Sequence, residues 1–164
     1  QLQEIEEKWT QLKNEFTNLR LHFIGGIQSR KVKSIFNYCD VIHSLDRMKI
    51  VKQFNDLEIE HSSSREYFIQ INTGDEKQKS GVMLSESDQF ISACLENYNL
   101  NIIGLMCIPP FDQDPQKHFL TLASIAKNFN LESLSMGMSN DYGTALKCGA
   151  THIRIGTKIF GERN

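Results

Sequence analysis

Six short apolar runs, rich in β-branched and other large residues, recur along this chain, each followed by a helix-like pattern. No other feature restricts the fold as much. The runs are LHFIG (21–25), DVIHSL (40–45), YFIQIN (67–72), IIGLMCI (102–108), LESLSMGMS (131–139) and THIRIG (151–156). Near-continuous apolarity bounded by Gly, Asn or Pro marks strands covered on both faces, as strands of a parallel sheet are. Helical patterns are expected between them, over 29–38, 46–54, 85–98, 115–128 and 141–148. Ser85 has the chemistry of an N-cap with an acidic residue three positions on, Pro115 suits a first helical turn, and Gly149 stops the last helix. The hydrophilic stretch 58–66, with HSSSR at its centre, reads as a loop. Strand starts at 21, 40, 67, 102, 131 and 151 lie 19 to 35 residues apart. That is the length of a βα unit, and its right-handed repetition gives an open doubly wound sheet or a barrel.

Ahead of the first run, residues 1–18 read as an amphipathic helix. Leu2, Ile5, Trp9, Leu12, Phe16 and Leu19 recur at alternating spacings of three and four, which is one helical face. Glu and Lys fill the opposite face, which is read as solvated. No linker, repeat or low-complexity segment divides the chain, so a single domain over 1–164 is expected.

Charge and cysteine usage exclude several functions. The 18 Lys and Arg nearly balance 20 Asp and Glu, for a formal charge of −2. A nucleic-acid binder would show a basic excess or patch. No apolar run approaches the length of a membrane span, and the first ten residues lack the apolar region of a signal peptide. Cys39, Cys94, Cys107 and Cys148 form no CxxC and no cluster with histidine. They read as reduced, mostly buried thiols of a cytoplasmic protein, with no zinc site.

In βα proteins the functional face lies at the C-terminal ends of the strands. The last two such ends carry the most chemistry. One reads Gly137-Met138-Ser139-Asn140-Asp141, the other Arg154-Ile155-Gly156-Thr157. A hydroxyl and free backbone N–H groups at a helix start suit an anion, glycine permits close approach, and Thr157 adds a donor. Two such loops in succession look like the phosphate cup that many barrels build from their last two βα loops. The same residues also suit a plain N-cap at Ser139 and a turn at Gly156. Elsewhere the signals are weaker. Gly25-Gly26 belongs to neither a GxGxxG nor a P-loop motif, and no Gly-x-Ser-x-Gly elbow is present. His22 and His43 read as packed strand histidines. Asp75, Glu76, Lys77 and Lys79 read as a solvated mixed-charge loop.

Taken in order, HFIGGIQSRK, IHSLD, IQINTGDEKQKSG, IIGLMCIPP, LSMGMSNDY and HIRIGTKIFGERN resemble the pyridoxal phosphate homeostasis proteins, single-domain relatives of the alanine racemase barrel. The resemblance covers almost the whole chain. It implies a TIM-type (β/α)8 barrel that binds pyridoxal 5′-phosphate (PLP) and has no catalytic turnover. It also implies a role in regulating free PLP and amino-acid pools. It assigns cofactor binding to Met138, Ser139, Arg154, Gly156 and Thr157. Ser139 matches a phosphate-binding serine, Gly156 and Thr157 match donors of the same cup, and Arg154 matches the arginine facing the pyridine nitrogen. An arginine there keeps that nitrogen unprotonated and weakens the ring as an electron sink.

One departure is large. Family members begin with a strand ending in the lysine that binds PLP covalently, then a second strand ending near Gly-Glu-Asn, and this sequence shows neither. An incomplete α/β barrel is therefore expected, with about six of eight βα units and the first two strands missing. The length of 164 residues also falls below the roughly 200 of a complete barrel. PLP binding is expected to be non-covalent at best, since Lys31, Lys33 and Lys79 are simply lysines on the functional face. PLP is the expected ligand, with PLP-dependent apo-enzymes or an N-terminal segment as further partners. Two alternatives stand beside this reading. One is a decayed, non-binding remnant. The other, an amino-acid racemase, is disfavoured by Met106-Cys107-Ile108-Pro109 where racemases carry a Thr-His-Phe-type segment.

Overall fold

The structure, a computed structural model, describes the backbone of residues 2–161 and, within the first helix, the side chains of residues 8 and 9 and from 11 onward. Helix α1 (Leu2–Glu15) leads into β1 (His22–Phe23), and a 3-10 turn at Ser29–Lys31 opens α2 (Val32–Tyr38). Then follow β2 (Val41–Leu45), α3 (Met48–His61), β3 (Glu66–Asn72), β4 (Val82–Met83) and α4 (Ser87–Asn97). The chain continues through β5 (Asn101–Met106), α5 (Pro115–Asn128), β6 (Ser133–Met138), α6 (Tyr142–Lys147), β7 (His152–Arg154) and α7 (Thr157–Phe160).

Every strand pair is parallel, and the sheet runs β1-β2-β3-β5-β6-β7. All six expected strands are there, in sequence order. The sheet curls so far that the ring of His22 on the first strand lies 6.0 Å from that of His152 on the last. This is a partial barrel, open between β1 and β7, with the helices on its convex side. The main core lies between sheet and helices, where Ile42, Tyr67 and Ile69 meet Ile50, Phe54 and Ile91, all fully buried. Burial of such side chains contributes about 1.5–3 kcal/mol each. The concave face holds a smaller apolar group of Val41, Phe68 and Met106, with Ile103 against it. Its remaining inward positions are polar.

Several local expectations are corrected. Helix α3 runs on to His61 and ends with Ser62 in the left-handed region (φ 46°), so the loop read over 58–66 shrinks to 62–65. Glu58 is the reason, because its carboxylate accepts from the Arg65 backbone N–H (2.6 Å) and the Tyr67 hydroxyl (2.8 Å), fixing the helix end to β3. Ser85 is not an N-cap. It lies inside a 3-10 turn (Leu84–Glu86), and no side chain caps α4. Strand β4 was not anticipated; its two residues pair with Ile71 and Asn72 at the end of β3. The mixed-charge loop beside it is tied down rather than merely solvated. Asp75 accepts from the Leu84 N–H (3.0 Å), and Lys79 pairs with Glu76 (2.6 Å). Helix α5 starts as read, with Asp114 accepting from the Gln116 N–H (3.0 Å) and Pro115 in its first turn. The first helix, expected over 1–18, ends at Glu15, so Phe16 and Leu19 leave its face; they and Leu12 are exposed, while the side chains of Leu2 and Ile5 lie outside the described residues. The four cysteines are free thiols, three of them buried, and no helix among the described residues is long and apolar enough to cross a membrane.

Strand β5 packs so closely on β6 that Gly104, opposite Ser133 in the register, has no room for a side chain; an added Cβ would collide with the Ser133 carbonyl. Gly104→Ala is expected to cost about 3 kcal/mol or more, since backbone must move. Gly143, in α6, has nothing within 4 Å of an added Cβ. There alanine is expected to add up to about 1 kcal/mol through helix propensity. Urea unfolding of the two variants checks both signs.

Candidate functional site

The open mouth of the partial barrel is a cleft of about 1420 Å³. Small-molecule sites usually span roughly 300–1,000 Å³, so it has room for a cofactor-sized ligand and more. All five sequence-predicted residues line it: Met138, Ser139, Arg154, Gly156 and Thr157. They come together because parallel strands β6 and β7 end side by side, Met138 opposite Arg154.

The loop after β6 is a tight turn closed twice by Asp141. Its carboxylate accepts from the Met138 N–H (2.6 Å), and its own N–H donates to the Met138 carbonyl (3.1 Å). Ser139 stands at the tip of this turn and makes no N-cap bond for α6; its hydroxyl instead accepts a long bond from the Lys158 N–H (3.5 Å). The last two βα loops are thereby joined. Gly156 precedes α7 as its N-cap; its carbonyl accepts from the Ile159 and Phe160 N–H groups (2.9 Å each), so of the first turn the Thr157 and Lys158 N–H groups have no partner within the helix. The backbone at Gly156 has φ −115°, and an added Cβ would meet no atom within 4 Å. The protein alone gives no reason for glycine there. By contrast Gly137, at φ +93° against Ala145 and Tyr142, is required by the fold.

Arg154 points into the concave side, where two neighbouring elements hold it. Its Nη1 donates to the Ser135 hydroxyl (2.8 Å) and its Nη2 to the Cys107 carbonyl (2.9 Å). Beyond Ser135 a chain of contacts crosses the barrel. The Ser135 oxygen lies 2.8 Å from His43 Nδ1, and His43 Nε2 lies 2.9 Å from His22 Nδ1. The His43 ring stacks on Phe68 at 4.3 Å between centroids. His43 is thus a packed, hydrogen-bonded histidine, as read from sequence, whereas His22 is hydrogen-bonded to it but exposed. Ser135, fully buried, was missed. The available signal was its polar side chain inside the apolar run of β6.

Electrostatics follow from burial. Burial, then the charges of His22, His152 and Arg154, pushes the His43 imidazole down to about 3. Burial likewise lowers His22, with His152 and Arg20 acting in the same sense and Glu66 and Asp40 opposing. His152 is lowered by burial against the opposing Glu66 carboxylate. Burial raises the Cys107 thiol to about 12, which leaves it a protonated, unreactive group. Among the described residues no cluster of His, Cys, Asp and Glu could hold a metal ion.

The donor set suits an anionic group joined to a flat ring. A hydroxyl at Ser139, a hydroxyl at Thr157 and the backbone N–H groups of Thr157 and Lys158 fit a phosphate, and the open space at Gly156 lets it approach. The guanidinium of Arg154 offers donors only, a partner for an unprotonated ring nitrogen. Ile24, Ile108 and Ile153 supply apolar wall.

Comparison with known proteins identifies the family of the chain. The family described as "Alanine racemase, N-terminal domain" matches residues 1–164. The pyridoxal phosphate homeostasis protein of Escherichia coli K12 is 36% identical over 156 residues, covering 90% of this chain and 67% of the relative. That of Aquifex aeolicus is 35% identical over 171 residues, covering 99% of this chain and 74% of the relative. Among solved structures, PipY of Synechococcus elongatus PCC7942 with PLP bound superposes with a TM-score of 0.88 at 26% identity, over 98% of this chain and 79% of PipY.

The buried His43 imidazole sets a pH dependence. His43 is neutral in the folded protein down to about pH 3 but protonates near pH 6.5 when unfolded. The unfolded state therefore binds more protons between those values, and stability falls as pH drops from about 6.5 toward 3. His22 and His152 act in the same direction. The urea midpoint is expected to fall between pH 7.5 and pH 5, on the order of 1–2 kcal/mol from His43, with a shallower fall in His43→Leu.

Proposed function

The chain belongs to the alanine racemase N-terminal domain family, and from that premise we propose that it is a PLP-binding protein of PLP homeostasis, a carrier or regulator without turnover. One observation carries the reading. Ser139, Gly156, Thr157 and Arg154 line a single cleft in a chain that superposes over 98% of its length on PipY with PLP bound.

In this reading Ser139, Thr157 and the backbone N–H groups of Thr157 and Lys158 hold the phosphate, and Met138 lies against the cofactor. Arg154, fixed by Ser135 and the Cys107 carbonyl, presents N–H donors to the ring nitrogen. It has no lone pair to accept a proton and cannot deliver one at neutral pH. PLP, when bound, supplies an aldehyde and an electron-withdrawing ring; with its nitrogen kept unprotonated, that ring is a poor electron sink. The site therefore favours holding the cofactor over driving carbanion chemistry. Release to PLP-dependent apo-enzymes fits a site this open, and the free thiols fit a cytoplasmic setting.

Equilibrium dialysis tests the reading. Wild-type chain is expected to bind PLP saturably, and Ser139→Ala and Arg154→Ala each to weaken binding about tenfold or more, as loss of a charge-assisted hydrogen bond does. Borohydride treatment should leave no stoichiometric lysine adduct, and amino-acid racemisation should stay at background. Undiminished binding in both variants would place the cofactor elsewhere.

A further inference from the structure

We propose that His43, acting through the Ser135 hydroxyl, is a positioning residue for Arg154, so that the orientation of the guanidinium toward the cleft is set from the opposite side of the barrel. The inference deepens the PLP reading and rests on it for its effect on the cofactor.

Chemistry fixes the first link of the chain. A guanidinium only donates, so the Ser135 oxygen accepts from Arg154 (2.8 Å). In the proposed arrangement the hydroxyl proton goes to His43 Nδ1 (2.8 Å), and neutral His43 carries its own proton on Nε2 and donates it to His22 Nδ1 (2.9 Å). Arg154, Ser135 and His43 then donate in one sense, from β7 through β6 and β2 to His22 on β1. Donors aligned in this way polarise one another and strengthen each bond.

Burial makes the arrangement rigid. Ser135 is fully buried and His43 is 2% exposed, so neither has water as an alternative partner. His43 is clamped on Phe68. With Nδ1 as acceptor, the Ser135 hydroxyl has one rotamer and turns its lone pair to Arg154. The Cys107 carbonyl holds the second amino group. Two anchors fix a planar group, whereas one leaves it free to pivot. Without His43 the serine proton has no acceptor, and the first anchor loosens although serine itself remains.

The test uses Ser135→Ala, His43→Leu and His43→Asn in the full chain. Asparagine can place its amide oxygen close to where Nδ1 stands and so keeps the acceptor. PLP affinity is expected to fall about tenfold in Ser135→Ala and His43→Leu and to return to within about twofold of wild type in His43→Asn. Affinity for inorganic phosphate, which does not need Arg154, should change less than about twofold throughout. In an Arg154→Ala background, His43→Leu should cost nothing further, since its effect passes through the arginine. Unchanged PLP affinity in the single variants, no rescue by asparagine, or full additivity with Arg154→Ala would each overturn the proposal. A second readout needs no cofactor. In ¹⁵N NMR the Arg154 guanidinium N–H signals should exchange slowly in wild type and His43→Asn, and be lost in Ser135→Ala and His43→Leu. If wild type binds no PLP, the functional reading fails by itself and these spectra decide the positioning role: the stated pattern supports it, and identical spectra in all four proteins overturn it.

Discussion

Parallel strands cannot be joined by a tight turn; besides its ladder of backbone hydrogen bonds, each pair needs a long crossover that must pack back onto the sheet. Every feature of this molecule answers to that constraint. The helices contribute Ile50, Phe54 and Ile91 to one continuous core on the convex side. The concave side receives no helix, and its buried apolar cluster is only Val41, Phe68 and Met106 with Ile103 beside them. Its other inward positions must be filled by groups that satisfy one another. A histidine pair, a serine and an arginine do so here, and the functional cleft is the place where that polar filling reaches the open mouth.

This division explains why the barrel interior is both polar and well ordered. A buried guanidinium without partners would cost several kcal/mol. Arg154 is anchored to β6 by Ser135 and to the end of β5 by Cys107, so the same bonds that make its burial tolerable also aim it. The neutral imidazoles add no second positive charge beside it, because burial holds His43 well below its ordinary range. Structure and electrostatics are set by one group of contacts.

Much of this was legible in the sequence, for reasons that differ by residue. The inner strands β2, β3, β5 and β6 could be read because burial on both faces leaves a plain apolar signature. The last two loops could be read because glycine, serine and arginine at strand ends have few uses. What could not be read depends on distant partners. Glu58 extends α3 only because Arg65 and Tyr67 come within reach of its carboxylate. Strand β4 is two residues that become a strand only by lying against Ile71 and Asn72. Ser135 and His43 are 92 positions apart, and their contact follows from the curl and stagger of the sheet, which no local pattern encodes. Ser85, by contrast, satisfied a local rule that the 3-10 turn before α4 overrode.

Strand length is uneven across the sheet. The central β3 has seven residues, while β1 has two and β7 three. Cooperative opening begins where few buried contacts and few ladder bonds must be lost together. Backbone amides should therefore be slowest to trade hydrogen for deuterium in β3 and progressively faster toward both margins. The cleft is built at one of those margins. Its ligand-facing loops belong to the most readily opened part of the molecule, so occupancy would register there as a local gain in protection while the centre of the sheet stays indifferent to it.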